Sequence, residues 1–190
     1  VADTYSSQVR KIDLPSGVVT TLGSGFSFPA GVAVTNSGSS AYVADTVNSQ
    51  IKKVDISSNA VTLVGGSTAG FRDGTGTSAK FNQPIAVAVT TNVFDGDTLW
   101  VCDRNNHNIR KLVVNTKVVT TVAGSGSSGS SDGVGTGASF NEPYGIAATS
   151  DGLVLYVADT GNNCIRKVAF GLDITVTTLA GGVVSGKGDG

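Results

Sequence analysis

The chain has 190 residues, enough for one ordinary domain, and no run of 18 apolar residues that could serve as a membrane span. Thirteen basic residues against fourteen acidic ones leave a net charge of −1, so there is no bulk attraction to nucleic acid or to anionic lipid. With 39% hydrophobic residues, 26 Gly, and β-branched residues in short runs between Gly, Ser, Asn and Asp, the composition argues an all-β fold. Two Cys cannot define a disulfide framework, and Cys102 and Cys164 fall at different places in the pattern described next, which favours free thiols.

The chain opens on Val1-Ala2-Asp3-Thr4, and the same tetrapeptide frame returns at Val43-Ala44-Asp45-Thr46, Val101-Cys102-Asp103-Arg104 and Val157-Ala158-Asp159-Thr160. The starts are 42, 58 and 56 residues apart, a period that marks a repeat architecture. Seven residues after each start comes a basic strand: Gln8–Ile12, Gln50–Val54, Asn108–Leu112 and Cys164–Val168. A Val/Thr-rich strand follows each time, at Val18–Leu22, Val61–Val64, Val118–Ala123 and Val176–Ala180. Before the second, third and fourth tetrapeptides lies a short apolar strand, Ala30–Val34, Ile85–Val89 and Tyr144–Ala148, expected to be buried near an axis. Each full unit is therefore four strands of about five to six residues, a single antiparallel sheet.

The connections between units also repeat. Residues 70–84 and 129–143 share the frame Gly-x-x-Asp-Gly-x-Gly-Thr-x-Ala-x-Phe-Asn-x-Pro. It places Asp73 and Asp132, Phe81 and Phe140, and Pro84 and Pro143 at matching positions. The two Phe are expected to plug the gaps between neighbouring sheets, and the Pro to break the chain just before the first strand. The first connection is shortened to Gly25-Phe26-Ser27-Phe28-Pro29, which accounts for the 42-residue first period. Residues 183–190 read as the start of another connection.

Four-stranded sheets recurring at this period are blades of a β-propeller. Tyr156–Val168 followed by Val176–Gly181, together with the Asp-Gly…Phe-Asn-x-Pro connection, resembles the NHL repeat. The resemblance runs through essentially the whole chain and implies a propeller, commonly of six blades in that family. The expected blades are 1–25 (partial, lacking the first strand), 30–66, 85–124 and 144–182. This is an incomplete ring. Leaving about 500 Å² of apolar blade face wet at each end would cost roughly 12 kcal/mol per face at about 25 cal/mol/Å². The segment is therefore expected to belong to a longer propeller or to be completed by other chains.

The tetrapeptide Asp residues (Asp3, Asp45, Asp103, Asp159) are read as scaffold: one per blade, each accepting hydrogen bonds from the backbone of the turn just after it. The paired basic residues are read as lying along the blade sides, stems buried and heads in water, near Asp13 and Asp55. Each Asp-Gly-x-Gly connection offers one carboxylate where calcium wants several, so Asp73 and Asp132 are read as turn residues. His107 is the only His, which leaves too few ligands for zinc chemistry, and no Gly-x-Ser-x-Gly elbow is present. No cofactor or metal is expected.

Individuality should lie where the repeat is broken. Phe94, Trp100, Arg104, Asn106 and His107 are the candidate partner contacts. The expectation is a non-enzymatic module that binds a protein or glycan partner, or the remaining blades, and no nucleic acid. A Ser/Thr/Gly-rich, Lys/Glu-poor surface leans towards an extracellular or cell-surface setting, with a cytoplasmic one as the alternative. Two other readings stand beside it: part of a six-bladed hydrolase or lyase whose catalytic residues lie in further blades, and RNA binding.

Overall fold

In the computed structural model of the protein, which describes residues 1–182, the repeats fold into four antiparallel sheets in chain order. The first sheet holds β1 (Ala2–Asp3), β2 (Gln8–Ile12) and β3 (Val19–Leu22). The second holds β4 (Pro29–Val34), β5 (Ser40–Asp45), β6 (Gln50–Asp55) and β7 (Val61–Gly66). In the third, a two-residue strand from the connection, β8 (Gly74–Thr75), precedes β9 (Pro84–Asn92), β10 (Gly96–Asp103), β11 (Asn108–Val113) and β12 (Val118–Ala123). The fourth repeats this plan with β13 (Gly133–Val134), β14 (Pro143–Ala148), β15 (Val154–Asp159), β16 (Cys164–Phe170) and β17 (Ile174–Gly181). Among the described residues the only helical pieces are four 3-10 turns.

Innermost strand packs on innermost strand, β4 against β9 and β9 against β14, so the sheets fan about an axis as propeller blades. The fan is an open arc and not a closed ring. Inner strands approach closely because small residues line them: a Cβ on Gly31 of β4 would stand 2.7 Å from Ala86 Cα of β9. These strands are only partly buried, with Val34 49% and Tyr144 51% exposed, against the expectation of fully buried strands. Their axial side faces the open centre of the arc.

Alternation along each strand divides the core among the joints between blades. One cluster joins Val9 and Leu22 to Val43 and Val54, a second joins Tyr42 and Ile51 to Leu99 and Leu112, and a third joins Cys102 and Ile109 to Leu155 and Val168. Phe81 and Phe140 lie wholly buried in the second and third of these joints. The connections are less separate from the blades than their sequence suggests: β8 and β13 pair with the outer strands β12 and β17 and make both of those sheets five-stranded. Pro29, Pro84 and Pro143 are the first residues of their strands, where a missing N–H costs no ladder bond. The connection expected at 183–190 lies outside the described residues.

Antiparallel order gives the arc two rims. The turns from second to third strand and the inter-blade connections form one, called here the upper rim. The turns from first to second and from third to fourth strand form the other, the lower rim.

Candidate functional site

The tetrapeptide Asp is the centre of a buried clasp. Asp103 is fully buried, and its Oδ1 accepts the N–H of Asn82 at 2.7 Å. Its Oδ2 accepts from the Asn106 side-chain amide at 2.8 Å and from Arg110 Nη1 at 2.7 Å. Arg110, also fully buried, goes on to bond the carbonyls of Lys80 and Arg72 and the Asp73 carboxylate, the last at 2.6 Å. Its guanidinium lies 5.2 Å from the centre of the Phe81 ring. The fourth blade builds the same clasp from Asp159, Asn141, Asn162, Arg166 and Asp132, with Phe140 under the guanidinium. In the second blade Lys52 replaces Arg, pairs with Asp45 at 2.6 Å and reaches the Gly25 carbonyl of the shortened connection. In the first, Arg10 turns to Gln8 and Thr21.

Two expectations need correction here. The donors to Oδ1 of Asp45, Asp103 and Asp159 are Ser27, Asn82 and Asn141 of the incoming connection, not the backbone of the turn that follows. The first basic residue of strands β11 and β16 is buried and paired, not solvated beside Asp13 or Asp55. Those two Asp instead bond neighbouring Ser residues of their own turns. A connection must be fastened to the blade it enters, and a five-donor guanidinium can bond two carboxylates and two carbonyls at once. Asp73 and Asp132 accordingly act as anchors, each also accepting from a Thr hydroxyl, Thr121 or Thr178. Burial pushes the Asp103 carboxyl up to about 6, against the opposing pull of Arg110, Asn82 and Asn106. Both Cys are free and buried, and burial pushes their thiols up from the ordinary range. Among the described residues no three His, Cys, Asp or Glu side chains converge as metal ligands would.

The joint between the third and fourth blades departs from the repeat on the upper rim. Arg104 stands where the other complete blades have Thr46 and Thr160, and His107 where they have Ser49 and Asn163. Arg104 pairs with Glu142 across the joint, Nη2 to Oε2 at 2.6 Å and Nε to Oε2 at 3.2 Å. The hydrogen bond and charge of Arg104 hold the Glu142 carboxyl below the ordinary glutamate range. His107 Nδ1 accepts the Glu142 N–H at 3.1 Å, which leaves Nε2 to carry the ring proton when the imidazole is neutral. Tyr144 lies beside them, with the Arg104 guanidinium 6.0 Å from its ring centre. A cation, a carboxylate, an imidazole and a half-exposed phenol thus share one patch.

The five residues singled out from sequence do not form one surface. Arg104 and His107 join the upper-rim patch. Asn106 is buried in the clasp and bonds the Gly70 carbonyl. Trp100 is 5% exposed and packs on Phe170, so it is no surface contact. Phe94 is 92% exposed but sits at the opposite end of β10, on the lower rim. Glu142 and Tyr144 were missed. Glu142 is the only Glu in the chain, and it replaces Gln83 of the otherwise matching connection, a signal that could have found it.

Residues 140–168 match the model of the NHL repeat. The chain is similar to Protein SUPPRESSOR OF QUENCHING 1, chloroplastic, of Arabidopsis thaliana, 39% identical over 112 residues, 58% of this chain and 10% of that protein. It is also similar to NHL repeat-containing protein 2 of Bos taurus, 35% identical over 109 residues, 57% of this chain and 14% of that one. The chain thus spans only a small part of these relatives. Among solved structures it superposes on an auxiliary nutrient binding protein from Bacteroides ovatus with TM-score 0.71 and 25% identity, over 92% of this chain and 44% of that one. A gluconolactonase from Xanthomonas campestris shares the fold at TM-score 0.66 and 17% identity, over 93% of this chain and 56% of that one.

Proposed function

The chain belongs to the NHL-repeat family, and from that premise we propose that it is a non-enzymatic binding module whose upper rim receives a protein or glycan partner at the joint of the third and fourth blades. One observation carries the reading. The Asp–Arg pairs that repeat in the third and fourth blades, Asp103 with Arg110 and Asp159 with Arg166, are buried in clasps, whereas Arg104, His107, Glu142 and Tyr144 occur at one joint only and remain reachable from solvent. A half-exposed aromatic beside an ion pair offers both stacking and directed hydrogen bonds, the combination that dominates recognition surfaces. The Ser/Thr/Gly-rich surface supports an extracellular setting for such a module.

A second reading keeps one specific support: a shared fold with a gluconolactonase, which by itself does not transfer chemistry. It would need catalytic residues in further blades. The experiment is a glycan and peptide array probed with the chain and with the Arg104→Ala/Tyr144→Ala variant. Ligands that bind the first and lose binding to the second, by about tenfold or more, support the reading. An array on which every bound ligand binds both equally refutes it.

A further inference from the structure

On the lower rim, at the far end of the same joint, lies a cavity of about 210 Å³. The joint of the second and third blades holds a cavity at the matching place, about 460 Å³ lined by Ser40, Lys53, Thr91 and Asp97 among others, so what distinguishes the present one is its lining. Tyr42 and Trp100 occupy matching places, paired with Lys53 and Lys111 across their strands. In the joint of the second and third blades, the Tyr42 hydroxyl crosses to the Asp97 carboxylate at 2.5 Å and ties the two blades together. Trp100 makes no such tie. Its Nε1–H goes to Thr90 of its own sheet at 3.1 Å, and its ring meets Phe170 across the joint, with ring centres 4.8 Å apart. The cavity beside Trp100 has room for about seven water molecules at ~30 Å³ each.

The walls of this space carry hydrogen-bonding capacity that the fold leaves unused. Thr98 is 2% exposed, and its hydroxyl has no hydrogen-bond partner. Buried hydroxyls of this kind are rare and call for an occupant. The Oδ1 of Asn92 is taken by the N–H groups of Phe94 and Asp95, so what it can offer a ligand is its amide NH2. Asp151 engages Thr149 and Leu153 through Oδ1, which leaves Oδ2 to accept. Lys111 Nζ stands 5.9 Å from the Trp100 ring centre and completes the ring of groups. One cation and one carboxylate balance, so a net anion would face Asp151 and a net cation Lys111. An isolated hydroxyl, an amide donor and a carboxylate acceptor around an aromatic wall suit a neutral molecule whose every group both donates and accepts.

We propose that this cavity binds a single small polyhydroxylated ring, a free monosaccharide. The site lies at the opposite rim from Arg104 and stands independently of the upper-rim reading. Gly152 sets its tightness: at φ +72° a Cβ there would lie 3.3 Å from the Thr90 hydroxyl.

Trp100 is the only Trp in the chain, so its fluorescence reports on this cavity alone. The experiment titrates the chain with D-glucose, D-galactose and D-mannose, with glycine and inorganic phosphate as zwitterionic and anionic probes. The proposal expects a saturating change with at least one hexose at millimolar concentration. It expects that response to weaken about tenfold or more in Thr98→Val and in Asn92→Ala/Asp151→Ala, whose exposed side chains leave the far-ultraviolet circular dichroism unchanged. No saturable response to any hexose overturns the proposal, as does a response to glycine or phosphate alone, or a hexose response unchanged in the Asn92→Ala/Asp151→Ala variant.

Discussion

Replacing Arg110 by Met keeps most of the aliphatic stem and removes the guanidinium. Four hydrogen bonds vanish, to Asp103, Asp73 and the carbonyls of Lys80 and Arg72. The Asp103 carboxylate is then left buried with only the Asn82 N–H and the Asn106 amide. Breaking one side of a buried ion pair costs about 3–5 kcal/mol, a large share of the roughly 5–15 kcal/mol that holds a domain. At a urea slope near 2 kcal/mol per M, the unfolding midpoint should fall by about 1.5–2.5 M. Asp103→Asn/Arg110→Met removes both charges and keeps the Oδ1 acceptor for Asn82. It should recover about half of the loss or more, because a neutral pair leaves no buried ion unmatched. Lys111→Met, one residue along and only partly buried, should stay within about 0.5 kcal/mol. A loss below about 1 kcal/mol for Arg110→Met, or a double variant whose loss equals the sum of the singles within about 0.5 kcal/mol, would refute the clasp.

Phe140→Ala empties the joint between the third and fourth blades and should cost about 3–5 kcal/mol by urea unfolding; a cost below about 1 kcal/mol would mean that Phe140 does not wedge the blades. The Asp103 carboxyl, followed by carbon NMR, should titrate near 6, above its ordinary 3.8. Because the folded value is the higher one, this group favours the fold most below about 3.8, and that contribution declines as pH rises through about 6. Arg110→Met removes the charge that restrains this value, so its destabilisation should shrink on acidification from about pH 7 to about pH 5. A loss that is flat or grows over that interval would contradict the assignment.

The blades were legible because each strand announces itself by a short apolar or Val/Thr-rich run, and because each motif recurs at a steady period. The positions of Phe81 and Phe140 followed from the same logic, since a large apolar residue in a Gly-rich connection has nowhere else to go. The clasp was not legible. Arg110 and Lys111 are adjacent and alike in sequence, and only the alternation of a strand sends one inward and the other out. Which carboxylate meets Arg110 depends on how the connection folds back along β12, through β8, and no local pattern encodes that path. Trp100 looked like a surface residue because it breaks a Tyr pattern, yet it is 5% exposed and its ring lines a cavity between two blades. Glu142 and Tyr144 became a site only when β14 brought them next to Arg104, 38 residues away from Glu142 in the chain.

The central claim is that the clasp charges, Asp103 with Arg110 and Asp159 with Arg166, fasten connections to blades from inside and take no part in contacts with partners. Hydrogen exchange at the guanidinium groups tests it most directly. At neutral pH the Nη protons of Arg110 and Arg166 should appear as distinct, slowly exchanging signals, while those of Arg104 on the upper rim exchange freely. Rapid exchange at Arg110 and Arg166, indistinguishable from Arg104, would place those guanidinium groups in water and contradict the account.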